Sequence, residues 1–129
     1  MSTETTASVS THILDTSIGK PAEGVAVSLS ARAGLDGEWA ALGGSVTDAD
    51  GRCKDLPALP EGTTHVRLDF ETETYFSKKQ AEAQQDAPRV RDSATFFPEV
   101  TITFAVHPGE HYHVPLLLNP FGYSVYRGS

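Results

Sequence analysis

The sequence predicts an all-β domain, an antiparallel sandwich of two sheets with one short helix. Three observations lead to this prediction. Apolar and polar residues alternate with a period of two in several segments, turn-forming residues separate those segments, and a single stretch has a helix-capping pattern. A chain of 129 residues is long enough to bury one core, so a single domain is expected.

The strands follow from the alternation, because every second residue of a half-buried strand faces the core. Short strands with regular turn signals between them are typical of a sandwich. The expected strands are residues 11–15, 25–30, 38–46, 66–71, 100–106, 111–118 and 122–126.

One strand contains a proline. Residues 111–118 are otherwise a convincing strand, but Pro115 has no N–H to donate to a sheet ladder. We therefore expect an unpaired or irregular position at Pro115.

The helix is expected from Ser77. Ser77 and Gln80 have the spacing of a capping box, and good helix formers follow them. The helix should end before Pro88, because the residue that precedes a proline disfavours helical geometry. A polar loop is expected to follow it at residues 86–95.

Composition and charge exclude several classes of function. The formal net charge is −7 and the basic residues are scattered, which argues against nucleic-acid binding. No apolar run approaches the ~20 residues of a membrane span. Cys53 is the only cysteine, so no intramolecular disulfide forms, as is usual in a reducing compartment.

Neither end of the chain has the pattern of a targeting signal. Residues 1–10 are rich in Ser and Thr without a basic and then apolar pattern, so we expect a disordered tail before a domain at residues 11–129. The C-terminal residues are not of the Ser-Lys-Leu type. With no signal peptide, no membrane segment and no peroxisomal signal, we expect a cytoplasmic protein.

Histidines are the first candidates for chemistry. On a strand, His111 and His113 point to one face, roughly 6.6–6.8 Å apart along the chain. His12 lies in a second strand, with Ile13 and Asp15 on the opposite face. A His-x-His pair supports metal ligation and acid–base catalysis equally well. His65 and His107 are interpreted as surface or hydrogen-bonded residues.

Arg52 and the C-terminal tail are the next candidates. Arg52 follows an Asp-Gly turn, and a guanidinium can hold a planar, oxygen-rich substrate through its fork of donors. The tail of residues 126–129 follows an aromatic segment, so an ordered strand is expected to extend almost to the last residue. No phosphate-binding glycine loop and no Gly-x-Ser-x-Gly motif occurs.

Five motifs in order resemble those of the transthyretin-like 5-hydroxyisourate hydrolases, a family of purine degradation. The resemblance covers residues 11–129, and its most specific parts are the fourth and fifth motifs. The motifs are Thr11-His12-Ile13-Leu14-Asp15, Thr47-Asp48-Ala49-Asp50-Gly51-Arg52, Phe97-Pro98-Glu99-Val100, His111-Tyr112-His113-Val114-Pro115-Leu116-Leu117-Leu118 and Tyr126-Arg127-Gly128-Ser129.

The resemblance implies a fold, an assembly and an activity. The fold would be the transthyretin-like sandwich, and the assembly a homotetramer, a dimer of dimers with active sites in the channel between dimers. The activity would be hydrolysis of 5-hydroxyisourate to 2-oxo-4-hydroxy-4-carboxy-5-ureidoimidazoline in urate degradation, with no metal and no cofactor. Catalytic roles map to His12, Arg52, His113 and Ser129, and substrate contacts to Tyr126, Arg127, Gly128 and His111.

Three alternatives stand beside this interpretation. One of them, a purely structural or adhesive sandwich domain, would leave three separated motifs unexplained. A small-molecule carrier of the transthyretin type has the same fold, but lacks the histidines, the arginine and the Arg-Gly-Ser end. A metal-binding sandwich protein would use His111 and His113 with a neighbour such as Glu110 or His107. The connection at residues 84–95 also looks longer than is usual in the family.

Overall fold

The computed structural model describes residues 6–83 and 95–128. Within these residues, nine strands and one helix form two sheets with the helix beside them. The elements are β1 (Ser8–Asp15), β2 (Lys20–Pro21), β3 (Ala26–Arg32), β4 (Ala40–Val46), β5 (Arg52–Cys53), β6 (His65–Phe70), α1 (Thr72–Ala83), β7 (Val100–Ala105), β8 (His111–Asn119) and β9 (Gly122–Val125).

The strand order is β2-β1-β8-β9 in the first sheet and β4-β3-β6-β7 in the second. The short strand β5 also pairs with β1, next to β2. Neither β2 nor β5 was predicted from the sequence, because two residues are too few to show a period.

One strand pair corrects the expectation of purely antiparallel sheets. Strand β1 runs parallel to β8, in register from Ser8 opposite His111 to Asp15 opposite Leu118. The other strand pairs among the described residues are antiparallel. Both β1 and β8 thus lie centrally in the first sheet, where each has neighbours on two sides.

The core lies between the inner faces of the two sheets. The predicted alternation is confirmed in β6, where Val66, Leu68 and Phe70 are fully buried and the residues between them are partly exposed. Burial of one such side chain stabilises the fold by about 1.5–3 kcal/mol. The first sheet contributes Ile13, Leu116 and Leu118 to the same core.

The helix begins earlier than its capping pattern predicted. Helix α1 starts at Thr72, and Ser77 lies inside it. The Thr72 hydroxyl donates to the Phe97 carbonyl at 2.6 Å, and Tyr75 is buried with its hydroxyl donating to Asp15 Oδ2 at 2.7 Å. These tertiary contacts stabilise the first turn, which a local sequence pattern does not reveal. The expected helix end near Pro88 and the loop at residues 86–94 lie outside the described residues.

Among residues 6–83 and 95–128, no helix is long and apolar enough to cross a membrane.

The first strand begins earlier than predicted. Residues 8–10 were expected in a disordered tail, but they form the start of β1 opposite residues 111–113 of β8. Their serines look polar and tail-like in the sequence. They lie instead on the outer face of the sheet, while Ala7 and Thr11 are buried.

The irregular position expected at Pro115 is confirmed. Strand β9 pairs with β8 up to Leu116 opposite Val125, and the same register would place Tyr126 opposite Pro115. That pair is not formed, because Pro115 has no N–H. The register resumes at Gly128, whose N–H donates to the His113 carbonyl at 2.7 Å. The tail therefore follows β8 again after a gap of two pairs.

Candidate active site

The candidate site lies on the outer face of the first sheet. In the parallel register, Ser10 of β1 stands opposite His113 of β8, and His12 opposite Pro115. Paired residues of neighbouring strands point to the same face, so His12 and His113 are diagonal neighbours. Three sequence-predicted residues, His12, His113 and His111, are thus brought together.

The two central imidazoles are in direct contact. The rings of His12 and His113 are nearly parallel, with centroids 5.4 Å apart and an angle of 8° between planes. His12 Nδ1 and His113 Nε2 are 3.3 Å apart, within reach of a long hydrogen bond whose direction depends on the tautomers. A proton can therefore be shared between the two rings.

Arg52 stands beside this pair because of the turn before it. Asp48 Oδ1 accepts from the backbone N–H of Asp50 and of Arg52 at 2.9 and 3.0 Å. These hydrogen bonds are the main cause that lowers the pKa of Asp48. The pairing of β5 with β1 then sets Arg52 directly opposite His12.

Gly51 allows this turn to pack closely on β1. Its φ is +76°, and a Cβ atom there would lie 2.5 Å from the Ile13 carbonyl oxygen. The Ile13 N–H donates to the Gly51 carbonyl at 2.8 Å. A side chain at this position would push Arg52 away from His12, so the Asp-Gly turn positions the guanidinium.

Burial and charge hold both imidazoles in the neutral form. Desolvation is the largest cause that lowers the pKa of His12, and the positive charge of Arg52 adds to it. Desolvation also lowers the pKa of His113, followed by the charges of His12, Arg52 and His111. Neutral imidazoles near pH 7 have a free lone pair, so either ring can accept a proton.

Two serines of the site were not predicted from the sequence. Ser10 Oγ lies 2.8 Å from His113 Nδ1 and 2.9 Å from His111 Nε2, and Ser8 Oγ lies 2.6 Å from His111 Nδ1. The signal was present in the sequence, because Ser8, Ser10 and His12 alternate with a period of two. The polar composition of the first ten residues hid it.

Gly128 packs against the catalytic candidate His113. A Cβ atom on Gly128 would lie 3.0 Å from His113 Cδ2 and 3.2 Å from Pro115 Cγ. Only glycine lets the tail approach the imidazole so closely. Ser129 follows directly in the chain, but it lies outside the described residues.

The structure does not bring Arg127 to the histidine pair. Its guanidinium stacks 4.5 Å from the centre of the Tyr112 ring and contacts Glu110 Oε1 at 3.2 Å. Tyr112 lies on the face of β8 opposite to His113. Arg127 and Tyr126 instead line a cavity of about 290 Å³ beside β7, and Tyr126 is largely exposed.

The metal interpretation finds no ligand set in the described part of the chain. No three His, Cys, Asp or Glu side chains there are grouped so that they could hold a metal ion. Glu110, suggested as a third ligand, contacts Arg127 and the Tyr112 hydroxyl.

Fold and site together define a class of protein. It is a two-sheet sandwich with a pair of contacting imidazoles of lowered pKa, and an arginine beside them, on the outer face of one sheet. Such a site can accept and return a proton while it stabilises negative charge.

The chain belongs to the HIUase/transthyretin family, whose model matches residues 9–128. It is 42% identical to a 5-hydroxyisourate hydrolase of Salmonella dublin over 123 residues, which cover 94% of this chain and 80% of that protein. The structure of Klebsiella pneumoniae 5-hydroxyisourate hydrolase is similar with a TM-score of 0.71 and 38% identity, covering 94% of this chain and 98% of that one. Sea bream transthyretin in complex with thyroxine has a TM-score of 0.75 and 30% identity, with 93% of each chain covered.

Replacement of Gly128 by alanine should displace the His113 ring and lower catalytic activity, because the added methyl group would overlap the imidazole edge. The matched control is Gly122→Ala, where a Cβ atom meets only Asn119 Oδ1 at 3.9 Å. We expect unchanged thermal unfolding for both variants and a reduced rate for Gly128→Ala alone. Equal rates in the two variants would show that Gly128 does not position His113.

Removal of the Arg52 charge should raise the pKa of His12 and of His113, because that positive charge disfavours a second one nearby. The measurement is a nuclear magnetic resonance titration of the imidazole signals in Arg52→Gln. Lys20→Gln is the control, since Lys20 is an exposed residue of β2. Unshifted histidine titrations in Arg52→Gln would place the guanidinium away from the pair.

Proposed function

We propose that this protein hydrolyses 5-hydroxyisourate to 2-oxo-4-hydroxy-4-carboxy-5-ureidoimidazoline in urate degradation. The observation that carries the proposal is the contact between His12 and His113 beside Arg52. Relatives named 5-hydroxyisourate hydrolases, such as that of Salmonella dublin, support the choice of substrate.

The proposed reaction opens the six-membered ring by attack of water on a ring carbonyl. Water is a weak nucleophile, and a positioned base accelerates such a step by ~10²–10⁴-fold. His12 and His113 act as the acid–base pair: they accept the proton of the attacking water and return one to the leaving nitrogen. Both are available as bases because their pKa values are lowered.

Arg52 has the electrostatic role in this proposal. The tetrahedral intermediate carries a negative charge on the former carbonyl oxygen, and a guanidinium donates two hydrogen bonds in one plane. Its position opposite His12 is fixed by the turn at residues 48–51. The same fork can hold the oxygen-rich ring before the reaction.

The C-terminal residues complete the proposal. Ser129 is proposed to orient substrate or water through its hydroxyl. This role is supported by the preceding residue, because the Gly128 N–H donates a hydrogen bond to the His113 carbonyl. Tyr126, Gly128 and His111 remain proposed substrate contacts. Arg127 remains one too, although its side chain would first have to leave the exposed ion pair with Glu110.

A transthyretin-type carrier is the second candidate, because sea bream transthyretin in complex with thyroxine has a similar structure. A carrier binds its ligand reversibly and has no use for an acid–base pair. The contact between two imidazoles of lowered pKa, with the positive charge of Arg52 nearby, therefore favours the enzyme.

The protein should accelerate the decay of freshly oxidised urate, followed by ultraviolet absorbance. Chelator-treated protein should be as active as untreated protein, because the proposed groups are all side chains of the chain itself. Binding of the substrate without turnover would favour the carrier, and loss of activity on chelation with recovery on added zinc would favour the metal interpretation.

His12→Ala and His113→Ala should each lower the rate by about 10²-fold or more, the usual loss in rate when an acid–base group is removed. His65→Ala is the matched control, since His65 hydrogen-bonds Thr64 and lies in the second sheet. All three variants should retain the far-ultraviolet circular dichroism of the parent. A folded His113→Ala protein with the parental rate would remove His113 from the mechanism.

We also propose a homotetramer, a dimer of dimers with the sites between dimers. The proposal rests on membership of the HIUase/transthyretin family, and the single chain also leaves exposed large apolar side chains that an interface could cover. They include Ile18, Phe121 and Tyr126, with 48%, 73% and 57% of their surface exposed. Light scattering should give the mass of four chains, and a fully active monomer would contradict the assembly.

A further inference from the structure

The two serines and three histidines of the outer face form one continuous row of hydrogen-bonding atoms. Starting at the pair, His12 Nδ1 contacts His113 Nε2, and His113 Nδ1 contacts Ser10 Oγ. The row continues from Ser10 Oγ to His111 Nε2 and from His111 Nδ1 to Ser8 Oγ. Its inner end is partly buried, and both His111 and Ser8 are exposed.

The hydrogen bonds of this row can all run in either of two opposite directions. A neutral imidazole has one N–H and one lone pair, and a hydroxyl has one hydrogen and accepts others. If the hydrogens point outward from His12, its Nε2 has a free lone pair and acts as a base. If they all point inward, His12 Nε2 carries a hydrogen and acts as an acid. Within residues 6–83 and 95–128, the hydrogen bond of His12 to His113 uses Nδ1, and no side chain or backbone group hydrogen-bonds Nε2.

We propose that Ser10 and His111 relay protons between the His12–His113 pair and solvent. The proposal rests on the proposed hydrolase function for its role in turnover. When His12 Nε2 accepts the proton of the attacking water, His12 Nδ1 passes its proton to His113, His113 to Ser10 Oγ and Ser10 to His111. His111 Nδ1 releases one proton to water or buffer. One proton enters at His12 Nε2, one leaves at His111 Nδ1, and the row ends in the opposite direction. When His12 Nε2 then gives its hydrogen to the leaving nitrogen, the protons shift back by one step each. His111 Nδ1 takes one proton up from solvent, and the row returns to its first direction.

The whole reaction also releases one proton, in addition to the two that pass along the row. Opening of a cyclic amide yields a carboxylic acid, which is ionised near pH 7 because carboxyl pKa values lie near 4. Each turnover therefore releases one proton while the urea nitrogen stays neutral.

The charges around the pair favour the departure of the proton that His12 accepts from water. Arg52 on β5 faces the pair from one side, and His111 on β8 from the other. Both Arg52 and His111 disfavour a positive charge on His113, in addition to desolvation. A proton held on the partly buried pair is therefore more costly than one at the exposed end of the row.

This inference gives His111 a role in proton transfer beside the substrate contact proposed above, and kinetics separate the two roles. If His111 binds the substrate, His111→Ala should raise KM. If His111 relays protons, the same variant should have a lower kcat at unchanged KM in weakly buffered solution, and added imidazole should restore kcat because it replaces the missing base. A raised KM with no buffer effect on kcat would overturn the relay.

Ser10 offers a second test with conservative rescue. Ser10→Ala should lower kcat by roughly threefold to tenfold, the size of one lost hydrogen bond, and should raise the solvent isotope effect. Ser10→Thr retains the hydroxyl and should restore both values. Ser28→Ala is the matched control, since Ser28 is an exposed strand residue of the second sheet. A parental kcat in Ser10→Ala would overturn the relay while leaving the hydrolase function intact.

A third measurement does not depend on catalysis at all. The imidazole nitrogen signals of His113 report its tautomer in the ligand-free protein. Ser10→Ala removes the partner of His113 Nδ1 and should change the tautomer balance, while Ser28→Ala should not. An unchanged balance in Ser10→Ala would mean that the serine does not couple to His113. If the tautomer responds but no hydrolysis is detected, the proposed substrate is wrong and the hydrogen-bonded row stands.

Discussion

The parallel pairing of β1 with β8 is the constraint on which the candidate site depends. Its register sets Ser10 opposite His113 and leaves His12 one step along, so the two imidazoles meet diagonally. A shift of one residue would turn one set of these side chains into the core. The same shift would expose Ile13, which is fully buried. Core packing and site geometry are therefore specified by one register.

Two short segments outside the long strands complete the surroundings of the His12–His113 pair. The turn at residues 48–51 places a guanidinium next to His12, and Gly128 seats the tail against His113. Both depend on a glycine that lets backbone approach backbone or ring. The pair is thus flanked by a charge on one side and a close-packed peptide on the other, and its neutral form follows from these surroundings.

The long strands and the site histidines could be predicted from the sequence, because period-two alternation reports which residues share a face. His12, His113 and Arg52 also lie in motifs of a recognisable family. The start of α1 could not be predicted, since contacts of Thr72 and Tyr75 with distant residues stabilise its first turn. Ser10 escaped prediction for a related reason: its role arises from a partner about a hundred positions away. Arg127 was expected near the histidines, but Glu110 and Tyr112 hold it elsewhere.

The first sheet separates its two tasks by face. Inward residues such as Ile13 and Leu116 supply the packing, whereas the row from Ser8 to His113 contributes little apolar burial. Mutations in the outward row are therefore expected to cost less folding free energy than mutations of the buried face. Descendants of one ancestral sandwich can exchange those side chains, gaining or losing a chemistry, without passing through an unfolded intermediate. The similarity to both a hydrolase and a thyroxine-bound transthyretin is the kind of divergence that this division permits.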